Sequence, residues 1–268
     1  MTIPHEPSRD GELLVREDGP QDAPALLLIH GTAASALTWD LMVPLLTDAH
    51  RVIRLDLLGC GSSGKPLDGD YTIHAQARRA GEVLDRLGVG HATIVGHSSG
   101  GIVATALTER RPDLVAALAL INTGPGMAAY LAPESGAVQF DPARWPPTEE
   151  QIRLLASSGF GRGDFAMPQE SIDQLRATPF PVFAATWQAP QVYLEEQTLP
   201  ERLKGLGKPL LVIFGEDDRR WRPSSAADYL VVPEARVEML PGSGHTPILE
   251  DPARTAELLL AFTSASPR

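Results

Sequence analysis

The chain has 268 residues, enough for one large domain with a sizeable core, and its 43% hydrophobic and 21% charged residues exclude wholesale disorder. Asp and Glu outnumber Lys and Arg by 34 to 23, a formal net charge of −11 that argues against a non-specific grip on nucleic-acid phosphates and against an anionic membrane surface. One cysteine, Cys60, excludes an intrachain disulfide and any cysteine-built metal cluster.

Residues 1–11 are polar and lack a basic start and an apolar stretch, so no secretory signal is expected there and the cytoplasm is the default location. The apolar run Ala25–Ile29 predicts a strand that stops at His30-Gly31. Val52–Leu55 predicts a second, ending at Asp56 before a Gly-rich stretch. Ile73–Leu87 has helical spacing and stops at Gly88. Ala92–Val95 predicts a strand running straight into Gly96-His97-Ser98-Ser99-Gly100-Gly101, then a helix over Ile102–Arg110 that Pro112 ends. Val115–Ile121 is again a strand. Strands this apolar are expected to be covered on both faces, as in a parallel sheet flanked by helices.

The pattern then breaks. From about Gly124 to Pro200 no comparable strand is predicted, only helical pieces near Thr148–Ser158 and Pro168–Ala177. This stretch holds ten of the 24 prolines, five of the seven phenylalanines and two of the four tryptophans. Strand and helix alternate again from Pro209: Leu210–Phe214, a helix over Ser224–Leu230, Val237–Leu240 and a helix over Asp251–Phe262. The fold class expected is α/β, with core residues 1–124 and 201–268 and a helical insertion, 125–200, over the sheet.

Gly96-His97-Ser98-Ser99-Gly100 fits G-x-S-x-G between a strand and a helix. Glycines at both ends allow a sharp turn, which exposes Ser98 beside the start of the following helix. A serine hydroxyl needs a base. Of the histidines, His245 lies in the loop after the final predicted strand, which returns to the same sheet edge. A base needs an orienting acid, and Glu216, Asp217 and Asp218 all follow the strand Leu210–Phe214, leaving the choice open.

These motifs together resemble an α/β-hydrolase with a cap, in the serine esterase-like branch. The resemblance rests on His30-Gly31, on Asp56 to Pro66 (DLLGCGSSGKP), on Gly96 to Gly101, on Gly215-Glu216-Asp217-Asp218 and on Gly244 to Glu250 (GHTPILE), all in family order. It implies a triad of Ser98, Asp218 and His245, with Asp217 the second choice for the acid. It implies an oxyanion hole from the backbone N–H groups of Thr32 and Ser99, a structural His30, and an Asp56 that organises the Gly-rich loop. Cys60 stands where many relatives have histidine and reads as a small packed residue.

Departures from family patterns narrow the chemistry. Ser98 at the nucleophile position speaks against haloalkane dehalogenases and epoxide hydrolases, which use aspartate. Carbon–carbon bond hydrolases often carry Asn before the serine and Trp after the histidine, where this chain has His97 and Thr246. Cofactor-free haloperoxidase-like esterases typically place an aromatic where Thr32 stands. The expectation is a serine hydrolase acting on an ester, lactone or thioester of an apolar or aromatic small molecule, a biosynthetic methyl esterase being one case. It needs no cofactor or metal, and Phe183 and Trp187 are candidates to line the substrate pocket. Alternatives are a carbon–carbon bond hydrolase or non-hydrolytic lyase on the same triad, or a ligand receptor on this scaffold.

Overall fold

A computed structural model describes residues 13–131, 141–161 and 168–265. Phe140 and Phe165 of the insertion, and the N-terminal stretch assessed for a signal, lie outside the described residues.

The six predicted strands and one more, β1, form one seven-stranded sheet in the order β1-β3-β2-β4-β5-β6-β7. They are β1 (Val15–Asp18), β2 (Ala25–Ile29), β3 (Arg51–Leu55), β4 (Ala92–His97), β5 (Val115–Ile121), β6 (Leu210–Gly215) and β7 (Arg236–Leu240). All neighbouring pairs are parallel except β1 with β3. β1 was not predicted, because VRED is half-exposed and carries no apolar run. Ion pairs hold it instead: Arg54 pairs with Asp18 at 2.7 Å, and Arg51 with Glu17.

Side chains alternate across the sheet, as the two-residue strand period demands. Leu27, Ile29, Ile53, Leu55, Ile94, Leu118, Val212 and Phe214 face one layer, with helices α1 (Ile73–Arg86) and α2 (Ser99–Arg110). Leu26, Leu28, Val52, Val95, Ala119, Leu211 and Ile213 face the other. There they meet Trp39, Met42 and helix α6 (Pro252–Ala265) through Ala256, Leu259 and Phe262. Leu26 to Ile29 are each 0% exposed, and each such side chain contributes about 1.5–3 kcal/mol of burial. Runs that looked uniformly apolar are therefore two interleaved faces, both covered.

Between β5 and β6 the described residues contain helices α3 (Glu149–Ser157), α4 (Gln169–Arg176) and α5 (Phe180–Glu196), and no strand. Thr148 caps α3 in a reciprocal capping box with Gln151. The helix expected over Ser224–Leu230 spans Pro223–Val231 and is of the 3-10 type; Pro223 opens it. Helix α2 begins at Ser99, three residues earlier than predicted, so the glycine turn is itself the first helical turn. Among the described residues no helix is long and apolar enough to cross a membrane, and no group of His, Cys, Asp or Glu is arranged to hold a metal ion.

Candidate active site

Ser98 sits between β4 and α2 with φ +53° and ψ −126°, a region L-residues occupy at a cost of about 1–3 kcal/mol. Surrounding bonds impose it. Its N–H donates to the Ile121 carbonyl at 2.9 Å, and its own carbonyl accepts from Gly101 N and Thr123 Oγ1, each at 3.0 Å. The turn is as tight as glycine allows: a Cβ on Gly96 would lie 2.4 Å from the Gly100 carbonyl oxygen and from Gly101 Cα.

Two loops from the other half of the chain meet this turn. His245 follows β7, and its Nε2 lies 2.9 Å from Ser98 Oγ. Its Nδ1–H donates to Asp218 Oδ2, also at 2.9 Å. Asp218, after β6, accepts three further bonds: from Asn122 Nδ2 at 2.8 Å, Arg220 N at 2.7 Å and Trp221 N at 3.1 Å. Burial pushes the Asp218 carboxyl up, but the His245 charge and these bonds outweigh it and hold the pKa below the ordinary carboxylate value. Asp217, the second choice for the acid, is exposed, as is Glu216. Glu250 fixes the residues flanking His245, accepting from Gly244 N at 3.0 Å and Thr246 N at 3.1 Å, and reaches Gly161 N at 2.7 Å.

Thr32 and Ser99 lie side by side across the turn, the Thr32 hydroxyl donating to Ser99 Oγ at 2.8 Å. Ser99 is the first residue of α2, so its N–H has no acceptor within the helix.

The remaining polar residues brace the site. His30 donates from Nδ1 to the Gly31 carbonyl at 2.7 Å and accepts from Leu57 N at Nε2 at 3.0 Å. Burial lowers its pKa, so it is a neutral strut. Asp56 accepts from Ala36 N at 2.6 Å and Ser62 N at 2.7 Å, tying the Gly-rich loop to the turn after β2. Burial raises the Cys60 thiol to about 12, the state of a packed residue rather than a nucleophile.

His97 Nε2–H donates to the His245 carbonyl at 2.8 Å. Burial first, and the neighbouring His245 charge second, push its pKa down to about 3. A histidine in the unfolded chain titrates near 6.5. Between those values the unfolded chain binds a proton the folded one refuses. Stability is therefore full above 6.5 and declines as pH falls toward 3, by about 1.4 kcal/mol per pH unit. Thermal melts should show the wild type losing Tm more steeply from pH 6.5 to 4 than His97→Asn, which keeps a donor. Equal slopes would remove His97 as the cause.

Above Ser98 lie two adjoining cavities of about 410 and 120 Å³. Both are lined by Thr32, Ser98, Leu155, Trp187 and Arg220. Phe183 and Trp187, the candidates for the substrate pocket, both line the larger one, along with Phe180 and Trp221. They share helix α5, with ring centroids 5.6 Å apart.

Sequence reasoning missed Asn122 and Arg220, and quoted Glu250 only as the end of a motif, without a role. Asn122 is fully buried, has φ +44°, and gives its amide to Asp218 and to the Gly244 carbonyl. Its signal was available: an Asn closing an apolar strand suits a left-handed turn.

The model of the alpha/beta hydrolase fold family matches residues 24–252. The 2-hydroxymuconate semialdehyde hydrolase of Pseudomonas sp. (strain CF600) is 30% identical over 254 residues, which cover 88% of this chain and 86% of that protein. A solved hydrolase from Pseudomonas aeruginosa PA01 superposes with a TM-score of 0.79 at 27% identity, covering 99% of this chain and 98% of the other. A solved bacterial membrane phospholipase A gives 0.75 at 26% identity, covering 98% of this chain and 86% of that one.

Proposed function

The chain belongs to the alpha/beta hydrolase fold family, and from that premise we propose that it is a serine hydrolase cleaving an ester, lactone or thioester through Ser98, His245 and Asp218. The observation that carries this is the continuous hydrogen-bonded line from Ser98 Oγ through both ring nitrogens of His245 to a buried carboxylate, at the floor of a largely apolar cavity. In this reading residues 125–200 form a cap that shapes the substrate pocket, and the substrate has an apolar or aromatic body.

Ser98 Oγ attacks the acyl carbon while His245 Nε2 takes its proton. Charge moves to the carbonyl oxygen, which the N–H groups of Thr32 and Ser99 receive in their preset positions. The carbonyl reforms, the bond to the leaving group breaks, and His245 returns the proton to that group. Water then gives its proton to His245 and attacks the acyl-serine. Collapse releases the acid and restores the Ser98 hydroxyl. Asp218 holds the tautomer of His245 and balances its transient charge.

Carbon–carbon bond cleavage on the same triad is the second reading, favoured by the identity to the semialdehyde hydrolase. Turnover of a panel of 4-nitrophenyl esters, aryl lactones and thioesters tests the first. Mass spectrometry should find an acyl adduct on Ser98 in quenched samples, and a fluorophosphonate probe should label the same residue. Ser98→Ala should lose turnover and label together. Full esterase activity in Ser98→Ala refutes the triad, and tight ligand binding without labelling of the wild type favours a receptor.

A further inference from the structure

Arg220 is the feature of the cavity that ester chemistry leaves unexplained. Its Nε donates to Ser158 Oγ at 3.2 Å and its Nη2 to the Leu155 carbonyl at 3.1 Å, both at the C-terminal end of α3. Its Nη1 makes no hydrogen bond, and no carboxylate lies within ion-pair distance of the guanidinium among the described residues. Asp218, next but one in sequence, is already committed: its two oxygens accept from Asn122, His245 and the backbone of Arg220 and Trp221.

The end of a helix carries roughly half a unit of negative charge, so α3 offsets only part of this cation. Arg220 is half-buried, and the nearby Asp218 charge makes no ion-pair contact with it, so a second anion at the guanidinium would be favourable. Arg220 lines both cavities, and Arg219 lines the larger. Among the described residues no Asp or Glu lines either one, although the whole chain has a net charge of −11. The described lining of the pocket thus has the opposite sign to the protein. The rest of the larger wall is apolar, with Ile102, Met127, Phe180, Phe183 and Leu194.

We propose that Arg220, through its free Nη1 and assisted by the charge of Arg219, binds a carboxylate on the substrate. Because Arg220 and Ser98 border both cavities, that carboxylate sits close to the scissile bond, while an apolar body fills the larger cavity. The substrate is then an organic acid that also carries the cleavable acyl group. This rests on Ser98 being the reacting residue, as proposed above. An organic phosphate offers similar oxygens with more charge; the single free guanidinium nitrogen suits the singly charged carboxylate.

Two measurements test it. The first is the ratio of kcat/KM for mono(4-nitrophenyl) glutarate to that for 4-nitrophenyl valerate, an acid and a neutral ester of similar length. The wild type should favour the acid at least tenfold, Arg220→Gln should bring the ratio to within about twofold of one, and Arg220→Lys should fall between. The ratio does not depend on how much of a variant is folded. A wild-type ratio at or below one, or a ratio unchanged in Arg220→Gln, overturns the proposal.

The second needs no turnover. Trp187 and Trp221 line the larger cavity, so tryptophan fluorescence of Ser98→Ala can be titrated with 5-phenylpentanoate, its amide and the corresponding phosphonate. The carboxylate should bind at least tenfold more tightly than the amide, and adding Arg220→Gln should erase the difference. Equal affinities, no binding of either, or a phosphonate that binds more tightly than the carboxylate would overturn it. Selective carboxylate binding with no cleavage of either ester would refute the esterase reading and leave the anion site standing.

Discussion

Asp218→Asn is expected to lower kcat/KM by on the order of 10⁴-fold and to lower Tm as well. All four neighbours of this carboxylate are donors: Asn122 Nδ2 and His245 Nδ1 on one oxygen, Arg220 N and Trp221 N on the other. An asparagine amide brings an NH₂ that must face one pair or the other. Facing His245, it turns the imidazole to the tautomer whose Nε2 carries a proton and cannot take one from Ser98. Facing the backbone, it opposes two N–H groups, and each buried unsatisfied group costs about 1–3 kcal/mol. Steady-state kinetics with a thermal melt separate the two orientations. A variant within tenfold of wild type would remove Asp218 from the acid role and reopen Asp217.

Gly100→Ala should be among the most damaging small substitutions in the core. An added Cβ would lie 2.2 Å from the Ile29 carbonyl oxygen and 2.5 Å from that of His30. Those atoms lie at the end of β2 and one residue beyond it, and β2 is a central strand whose residues are all buried, so relief requires lifting α2 off the sheet. Losses above about 4 kcal/mol belong to this kind of overpacking, which for a domain of this size is a fall of roughly 10 °C or more in Tm. Gly90→Ala is the control, since nothing lies within 4 Å of its added Cβ. A Gly100→Ala protein melting within a few degrees of wild type would show that α2 has slack against β2.

Much of this was legible from local signals. Apolar runs separated by glycine turns marked the parallel strands, since both sheet faces are buried and even a one-dimensional pattern shows it. The glycine turn that holds Ser98 was legible because steric demand leaves few residues able to make it. β1 was not, because its hold comes from Arg51 and Arg54, 34 and 36 residues away. Nor was Arg220 distinguishable from Arg219 and Arg222, its neighbours in an arginine-rich turn. Only the approach of α3 separates them: Arg220 is drawn onto the helix end, and Arg219 and Arg222 remain exposed. Asn122 had a local signal for its backbone but none for its partner, Asp218, 96 residues further on.

The reach of the Ser98–His245 bond has a consequence for how function appears in time. The two residues are 147 positions apart, and the strands that deliver them, β4 and β7, are separated in the sheet by β5 and β6. Helices and the β2–β4 centre can be complete while the proposed nucleophile and base are still apart, and non-local pairings of this kind form slowly. Recovery of Ser98 reactivity during refolding is therefore a clock for the docking of β6 and β7. It should lag the return of helical circular dichroism, and a half-assembled chain should be hydrolytically silent.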